Sequence, residues 1–192
     1  MRLDRASIVQ AAITLLDEVG IDGLSTRRLA ASLGIQGPSL YWHFKNKREL
    51  LDQMAESMLD RAIPAADPGA PGFDWLAWLA SGARGIRRVG LSHRDGGLIL
   101  AGFRPTGTRA ALRVSSAEML ARSGLSAADS RLVLHTLGRF AVGWVLDEQL
   151  SRREQTPSTD AAFEFGLQLF LTGVEDRIRR AAEAPAQAAA GA

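Results

Sequence analysis

Residues 27–48 carry the side chains in this chain that are best suited to bind nucleic acid. The segment has five basic residues and no acidic one, although the formal net charge of the whole chain is only +2. Arginine and lysine bind phosphates, and polar side chains on a short exposed helix can reach base edges. From residue type and position we therefore predict a DNA-binding surface that includes Thr26, Arg27, Arg28, Ser39, Tyr41, Trp42, His43 and Lys47.

Few residues could carry catalysis. The chain has three histidines and no cysteine, so neither a disulfide nor a thiolate metal site is expected. Ser92, His93 and Asp95 have the residue types of a catalytic triad, but residues this close along a chain cannot converge as a triad does, and a polar turn is the usual role of such a stretch. Glycine-rich phosphate and dinucleotide loops are also missing. We therefore expect no enzyme, no cofactor and no metal site.

The basic segment coincides with a predicted helix-turn-helix. Ser25 is a good N-cap for a short helix that Gly34 would end. Pro38 suits the first turn of a second short helix, which we predict over 39–44. In a helix-turn-helix this second helix lies in the major groove. The same pattern also fits a generic three-helix bundle with a solvent-exposed aromatic corner.

The rest of the sequence predicts an all-α protein with a helical body behind this head. Apolar residues recur at helical spacing, and a Pro-, Gly- and Ala-rich stretch at 64–72 predicts a linker. Body helices are predicted at about 73–91, 106–123, 126–151 and 160–181, with a glycine-broken segment at 92–105. We predict a helix-turn-helix domain at 1–46, a ligand-binding and dimerisation domain at 47–182, and a disordered tail at 183–192.

Membrane insertion and secretion are not expected. No stretch reaches the roughly 18 consecutive apolar residues of a membrane span. The N-terminal residues contain no long apolar run of the kind found in signal peptides. We therefore expect a cytoplasmic protein with no membrane partner.

The last predicted helix is apolar on nearly every side, so one side needs a cover beyond its own body. A central core helix would explain this pattern. We favour a homodimer interface, because a head that reads a palindrome needs a two-fold partner. The predicted interface consists of Phe140, Trp144, Phe163, Leu167, Phe170 and Val174.

Residues 40–47, Leu-Tyr-Trp-His-Phe-Lys-Asn-Lys, resemble the heads of the TetR family of bacterial transcriptional repressors, which share a Leu-Tyr-x-His-Phe-x-x-Lys stretch. Further similarity to the tetracycline-responsive members of that family extends over about residues 2–180 and includes Ser-His-Arg-Asp-Gly at 92–96. The resemblance implies a homodimer that represses by binding a palindromic double-stranded operator. A small-molecule inducer, such as an antibiotic or a related metabolite, would release it.

The resemblance also assigns roles in DNA reading. It implies that Arg27 reads a guanine, Pro38 touches a thymine methyl, and Tyr41 and Lys47 hold phosphates. The tetracycline-responsive members carry a glutamine where this chain has Gly37, and glycine has no side chain with which to contact adenine. Gln36 could replace that contact in part. We therefore expect an operator related to, but different from, the tetracycline operator.

An inducer pocket is implied around 92–105. The tetracycline-responsive members have a metal-binding histidine where this chain has Leu100, and a glutamate where it has Asp147. Leucine cannot anchor magnesium, so a magnesium–drug chelate is not expected and the inducer should be metal-independent with a large apolar part. The predicted ligand-binding residues are Ile63, Ile86, Leu100, Phe103, Arg104, Pro105, Ser116, His135, Arg139 and Asp147.

Two further expectations concern the ligand response. The tetracycline-responsive members have an additional helix before the last one, whereas residues 156–160 here run almost directly into it, which implies a more open tunnel. The helix predicted over 47–63 joins head to body, and an inducer would tilt it to move the heads out of register. A drug-binding protein without operator activity is the alternative function.

Overall fold

The computed structural model describes residues 4–62, 70, 72–104, 107–151 and 159–190, and every regular element within them is an α-helix. The predicted all-α fold is therefore confirmed. The helices are α1 (Arg5–Gly23), α2 (Thr26–Ser32), α3 (Gly37–Leu40), α4 (Lys47–Ala62), α5 (Trp75–Leu91), α6 (Gly96–Gly102), α7 (Gly107–Ala121), α8 (Ala127–Ser151) and α9 (Thr159–Ala190).

The helix-turn-helix forms as the local sequence predicts. The Ser25 side chain accepts a hydrogen bond from the backbone N–H of Arg28 at 3.2 Å and so caps α2. Gly34 follows α2 in the left-handed region, with φ of 66°, and Pro38 lies in the first turn of α3. The second helix is shorter than the predicted 39–44, because after Leu40 the chain tightens into i→i+3 hydrogen bonds before α4 begins.

The segment 92–105, predicted as broken, contains the two-turn helix α6. The turn before it places Asp95 in the left-handed region, with φ of 56°. Gly96 then starts the helix so close to α5 that a Cβ there would overlap the carbonyl oxygen of Gly90. The glycines in this segment therefore allow close packing of α6 instead of preventing a helix.

The last helix is longer than the sequence predicts. α9 continues to Ala190, so most of the predicted disordered tail at 183–192 is helical. The alanines there favour a helix, because alanine has the highest helix propensity, although Pro185 within this stretch has no backbone N–H to donate. Residues 152–158, before α9, are outside the described part of the chain, and the predicted open tunnel mouth falls there.

Buried apolar residues form two clusters, and α6 belongs to the one beneath the head. The first cluster joins α1–α4 with Val89 of α5 and with Ile99 and Leu100 of α6. The second lies in the body, between α5, α7, α8 and α9. Ile86 packs against both clusters. The predicted domain boundary at 46/47 thus crosses a shared core. A displacement of α6 would change packing contacts with the head.

Among the described residues, no helix combines the length and the apolar character that crossing a bilayer requires.

Candidate nucleic-acid interface

The predicted DNA-binding residues lie together on one exposed surface of the head. Trp42 and Tyr41 are 89% and 58% exposed at the end of α3. The neighbouring Leu40 and Phe44 are 3% and 4% exposed, so they hold this segment on the core. Arg27, Arg28, Gln36, Pro38 and Lys47 are also exposed, and Thr26, Ser39 and His43 are half-buried.

Arg48 differs from the other basic residues of segment 27–48, which are expected to bind DNA. Its guanidinium donates a hydrogen bond to the carbonyl oxygen of Gly102 and pairs with Asp52 at 3.2 Å. The other Asp52 contact is a hydrogen bond from the backbone N–H of Arg104 at 3.0 Å. Arg48 therefore binds the C-terminal end of α6 and does not serve as a free phosphate ligand.

A second contact joins the end of α1 to the turn before α6. Asp17 accepts hydrogen bonds from the backbone N–H of Arg94 and lies beside His93 Nδ1, each at 2.9 Å. Asp95 accepts one from the backbone N–H of Ile21 at 2.8 Å. Gly20 faces this turn with φ of 73°, and a Cβ there would lie 2.8 Å from Asp95 Oδ2. The head is thus attached to α6 at both ends of that short helix.

The predicted inducer residues divide into two groups. Leu100 is 6% exposed, and Ile86 and Phe103 pack against the same cluster, so these three lie near the base of the head. Arg104 is exposed beside them, and Ser116 is half-buried on α7. His135, Arg139 and Asp147 are exposed on α8, where a single chain does not enclose them. Ile63 and Pro105 lie outside the described residues.

Metal binding has no counterpart in the arrangement of these side chains. Within the described ranges, no three histidine, cysteine, aspartate or glutamate side chains form a group that could hold a metal ion.

Comparison with known proteins agrees with this architecture. Residues 8–54 match the profile of the bacterial regulatory proteins of the tetR family, and residues 67–160 match that of the tetracyclin repressor-like C-terminal domain. The tetracycline repressor protein class A from transposon 1721 of Escherichia coli is 38% identical over 92% of both chains. The chain belongs to the TetR family.

Solved structures of TetR-family proteins share the fold. A TetR variant from Acinetobacter baumannii AYE in complex with minocycline has a TM-score of 0.80 and 39% identity, covering 91% of this chain and 98% of that one. BioQ with its natural double-stranded DNA operator has a TM-score of 0.68 and 32% identity, covering 90% and 98%.

On α8 and α9, the apolar side chains that are exposed are not the ones that the sequence predicts for the dimer interface. Phe163, Leu167 and Val174 are at most 3% exposed and belong to the chain's own body cluster. Phe140, Trp144 and Phe170 are half-buried against the same cluster. Among the side chains that the structure describes on α8 and α9, the large apolar ones that remain exposed are Leu132, Leu150, Phe165 and Leu169.

One ion-pair cluster that joins three body helices was missed by the sequence analysis. Arg87 of α5 forms a bidentate ion pair with Glu148 of α8, at 2.6 and 2.9 Å, and contacts Asp160 of α9 at 2.5 Å. Its guanidinium lies 4.8 Å from the ring centroid of Phe163. The hydrogen bonding of Arg87 to the Glu148 carboxylate is the largest cause of the raised pKa of Arg87, against the opposing effect of burial. The available signal was the pair of arginines at 87 and 88 between the apolar Ile86 and Val89, but the partners of Arg87 are 61 and 73 residues away.

Proposed function

We propose that this TetR-family protein is a ligand-responsive repressor that binds a palindromic operator as a homodimer and is released by a small-molecule inducer. The observation that carries the proposal is the exposed surface from Arg27 to Lys47, which presents basic and aromatic side chains around α3 and contains no acidic residue. The solved BioQ complex with its operator supports DNA binding by a related chain.

The proposed DNA contacts divide between base reading and phosphate binding. Arg27 at the start of α2 reads a guanine, and Pro38 touches a thymine methyl. Tyr41, directly after α3, and Lys47, at the start of α4, hold phosphates. A Cβ at Gly37 would meet nothing within 4 Å, so the glycine leaves a gap in the reading surface and the exposed Gln36 takes over part of that contact.

Substitution of two exposed basic residues should separate these roles. On a DNA fragment from the flank of its own gene that the wild type shifts in a gel, Arg27→Ala should cost about 1–3 kcal/mol and relax the preference at one base pair. Lys47→Ala should weaken binding to all sequences alike and lower the salt slope by about one. Equal weakening of every sequence by Arg27→Ala would contradict base reading. Absence of any specific shift would favour the drug-binding alternative.

The proposed homodimer uses the exposed faces of α8 and α9. Leu132 and Leu150 are 18 residues apart, which is five full helical turns, so they lie on one side of α8. Phe165 and Leu169 lie four residues apart on one side of α9. Each of the four side chains is at least 60% exposed in the single chain. Two such helices from each subunit would cover one another in a four-helix bundle.

The proposed inducer acts through α6. A ligand that displaces α6 alters the contacts of Arg48 and Asp52 at its C-terminal end and those of Asp17 at the preceding turn. Asp17 belongs to the head, and Arg48 and Asp52 lie on α4, which carries the head, so the two recognition helices would lose the separation that the operator requires. A ligand can do this only if it binds the displaced geometry better, and coupling of about 1–3 kcal/mol is typical.

We further propose a metal-independent inducer with a large apolar part, because Leu100 has no donor atom and lies buried beside Phe103 and Ile86. Arg104 or His135 would supply a polar anchor. Tetracycline at micromolar concentration, with or without magnesium, should therefore leave the operator complex intact in a gel-shift or anisotropy titration. Release by tetracycline that EDTA abolishes would contradict the proposal, and would mean that Asp147 and water hold the metal.

A further inference from the structure

Arg5 stands beside the DNA-facing surface and has the charge of a phosphate ligand, yet its guanidinium is already bound within the head. Its Nη2 lies 2.7 Å from Glu49 Oε1, and its Cζ lies 4.7 Å from the ring centroid of Phe44. Phe44 is 4% exposed, so the face of its ring offers a fixed support. The start of α1 is thereby attached to the chain that leaves the recognition helix.

Glu49 connects this arginine to the backbone of the turn between α3 and α4. Its Oε2 accepts a hydrogen bond from the backbone N–H of Lys45 at 2.7 Å. The backbone N–H of Glu49 donates to Asn46 Oδ1 at 2.9 Å. These contacts make a variant of the capping box, in which the glutamate reaches the residue before the N-cap. Hydrogen bonds from Arg5 and from the Lys45 amide hold the pKa of the Glu49 carboxyl below its usual range.

The turn held in this way carries two lysines, Lys45 and the proposed phosphate ligand Lys47. Lys45 lies in the turn, and Lys47 is the first residue of α4. Both lysines are exposed. Glu49, in the first turn of α4, binds the Lys45 backbone N–H, and Arg5 of α1 holds the Glu49 carboxylate. The position of the lysines relative to Tyr41 and Trp42 therefore depends on the contacts between Arg5, Phe44 and Glu49.

We propose that Arg5 and Glu49 are positioning residues for DNA binding, which set the backbone of residues 45–47 against the recognition helix without contacting phosphate themselves. The inference rests on the proposed operator binding. Exposed ion pairs contribute little to folding, so their removal leaves the head folded. The loss is instead expected in affinity, because lysines on a loosened backbone must be ordered when they bind, although they still neutralise the same phosphates.

The test is a double-mutant cycle in the full-length protein, with operator affinity measured over a range of salt concentrations. Arg5→Ala should weaken operator binding about five- to tenfold, which is the size of coupling found within one hydrogen-bond network. Its salt slope should stay at the wild-type value. In the Glu49→Gln background, where an amide oxygen can still accept from Lys45, Arg5→Ala should cost little more.

Lys47→Ala is the matched control, because the loss of a phosphate contact lowers the salt slope by about one. If Arg5→Ala lowers the slope in the same way and costs as much in the Glu49→Gln background, Arg5 is a phosphate ligand and the proposal is wrong. Unchanged affinity for Arg5→Ala also overturns it. A wild type that shifts no operator fragment refutes the proposed function instead.

Hydrogen exchange, measured without DNA, tests the proposed positioning even if the wild type shifts no operator fragment. The Lys45 backbone N–H should exchange with solvent faster in Arg5→Ala than in the wild type, while the melting temperature stays within about 2 °C, as expected for an exposed pair. Unchanged protection of the Lys45 amide would overturn the proposal whatever the DNA result.

Discussion

Replacing Phe165 by glutamate should convert the proposed dimer into monomers and remove specific operator binding. Phe165 is 68% exposed in the single chain and lies beside Leu169 on the side of α9 that the body leaves uncovered. Two-fold symmetry would bury the new carboxylate twice without a partner. A monomer keeps one reading head, and the loss of the second linked head should weaken operator binding by about 100-fold or more.

Val114→Glu is the matched control, because Val114 is 54% exposed on α7 and lies outside the proposed bundle. It introduces the same charge and should leave both dimer and DNA binding intact. Sedimentation or light scattering at micromolar concentration reports the assembly, and a gel shift reports the binding. A Phe165→Glu protein that remains dimeric would show that this face is not the interface. Substitutions at the half-buried Trp144 or Phe170 test the interface less clearly, because both side chains pack in the chain's own body cluster.

Gly85→Ala should cause a large loss of stability, because among the described glycines it is the one whose added Cβ would come nearest to another backbone atom. Gly85 of α5 approaches the end of α4 so closely that a Cβ would overlap the carbonyl oxygen of Ala62. The obstacle is backbone, so no rotamer change relieves it and the two helices must separate. We expect a loss of about 3 kcal/mol, the upper end for overpacked cores, and a melting temperature lower by about 6–12 °C. Because α4 carries the head, operator binding should fall as well.

Gly82→Ala on the same helix is the control. A Cβ there would meet nothing within 4 Å, so alanine should stabilise the helix by up to about 1 kcal/mol through its better propensity. Thermal melts of both variants at equal protein concentration give the comparison, since dimerisation makes the melting temperature depend on concentration. A Gly85→Ala protein as stable as the wild type would mean that α4 and α5 pack less closely than described.

The predicted part of the fold is the part that short-range interactions determine. Ser25 accepts from a backbone N–H three residues away, and Gly34 supplies a left-handed residue that ends a helix without strain. The DNA-binding surface follows from the same local rules, because its side chains project from consecutive turns around α3. For this reason the sequence alone determined that the protein is all-α, where its helix-turn-helix head lies and which side chains are proposed to read DNA.

Only the tertiary structure decided which sides of these helices are covered. Apolar spacing shows that α9 has apolar residues on several sides, but not that the body covers Phe163 and Leu167 while Phe165 stays exposed. The same reason explains Arg48, which has the sequence context of a phosphate ligand and instead binds Gly102, 54 residues away. Periodicity sets the angle of a side chain around its own helix axis, whereas its partner depends on the packing of helices distant in sequence. The attachment of the head to both ends of α6 therefore became visible only in the folded chain.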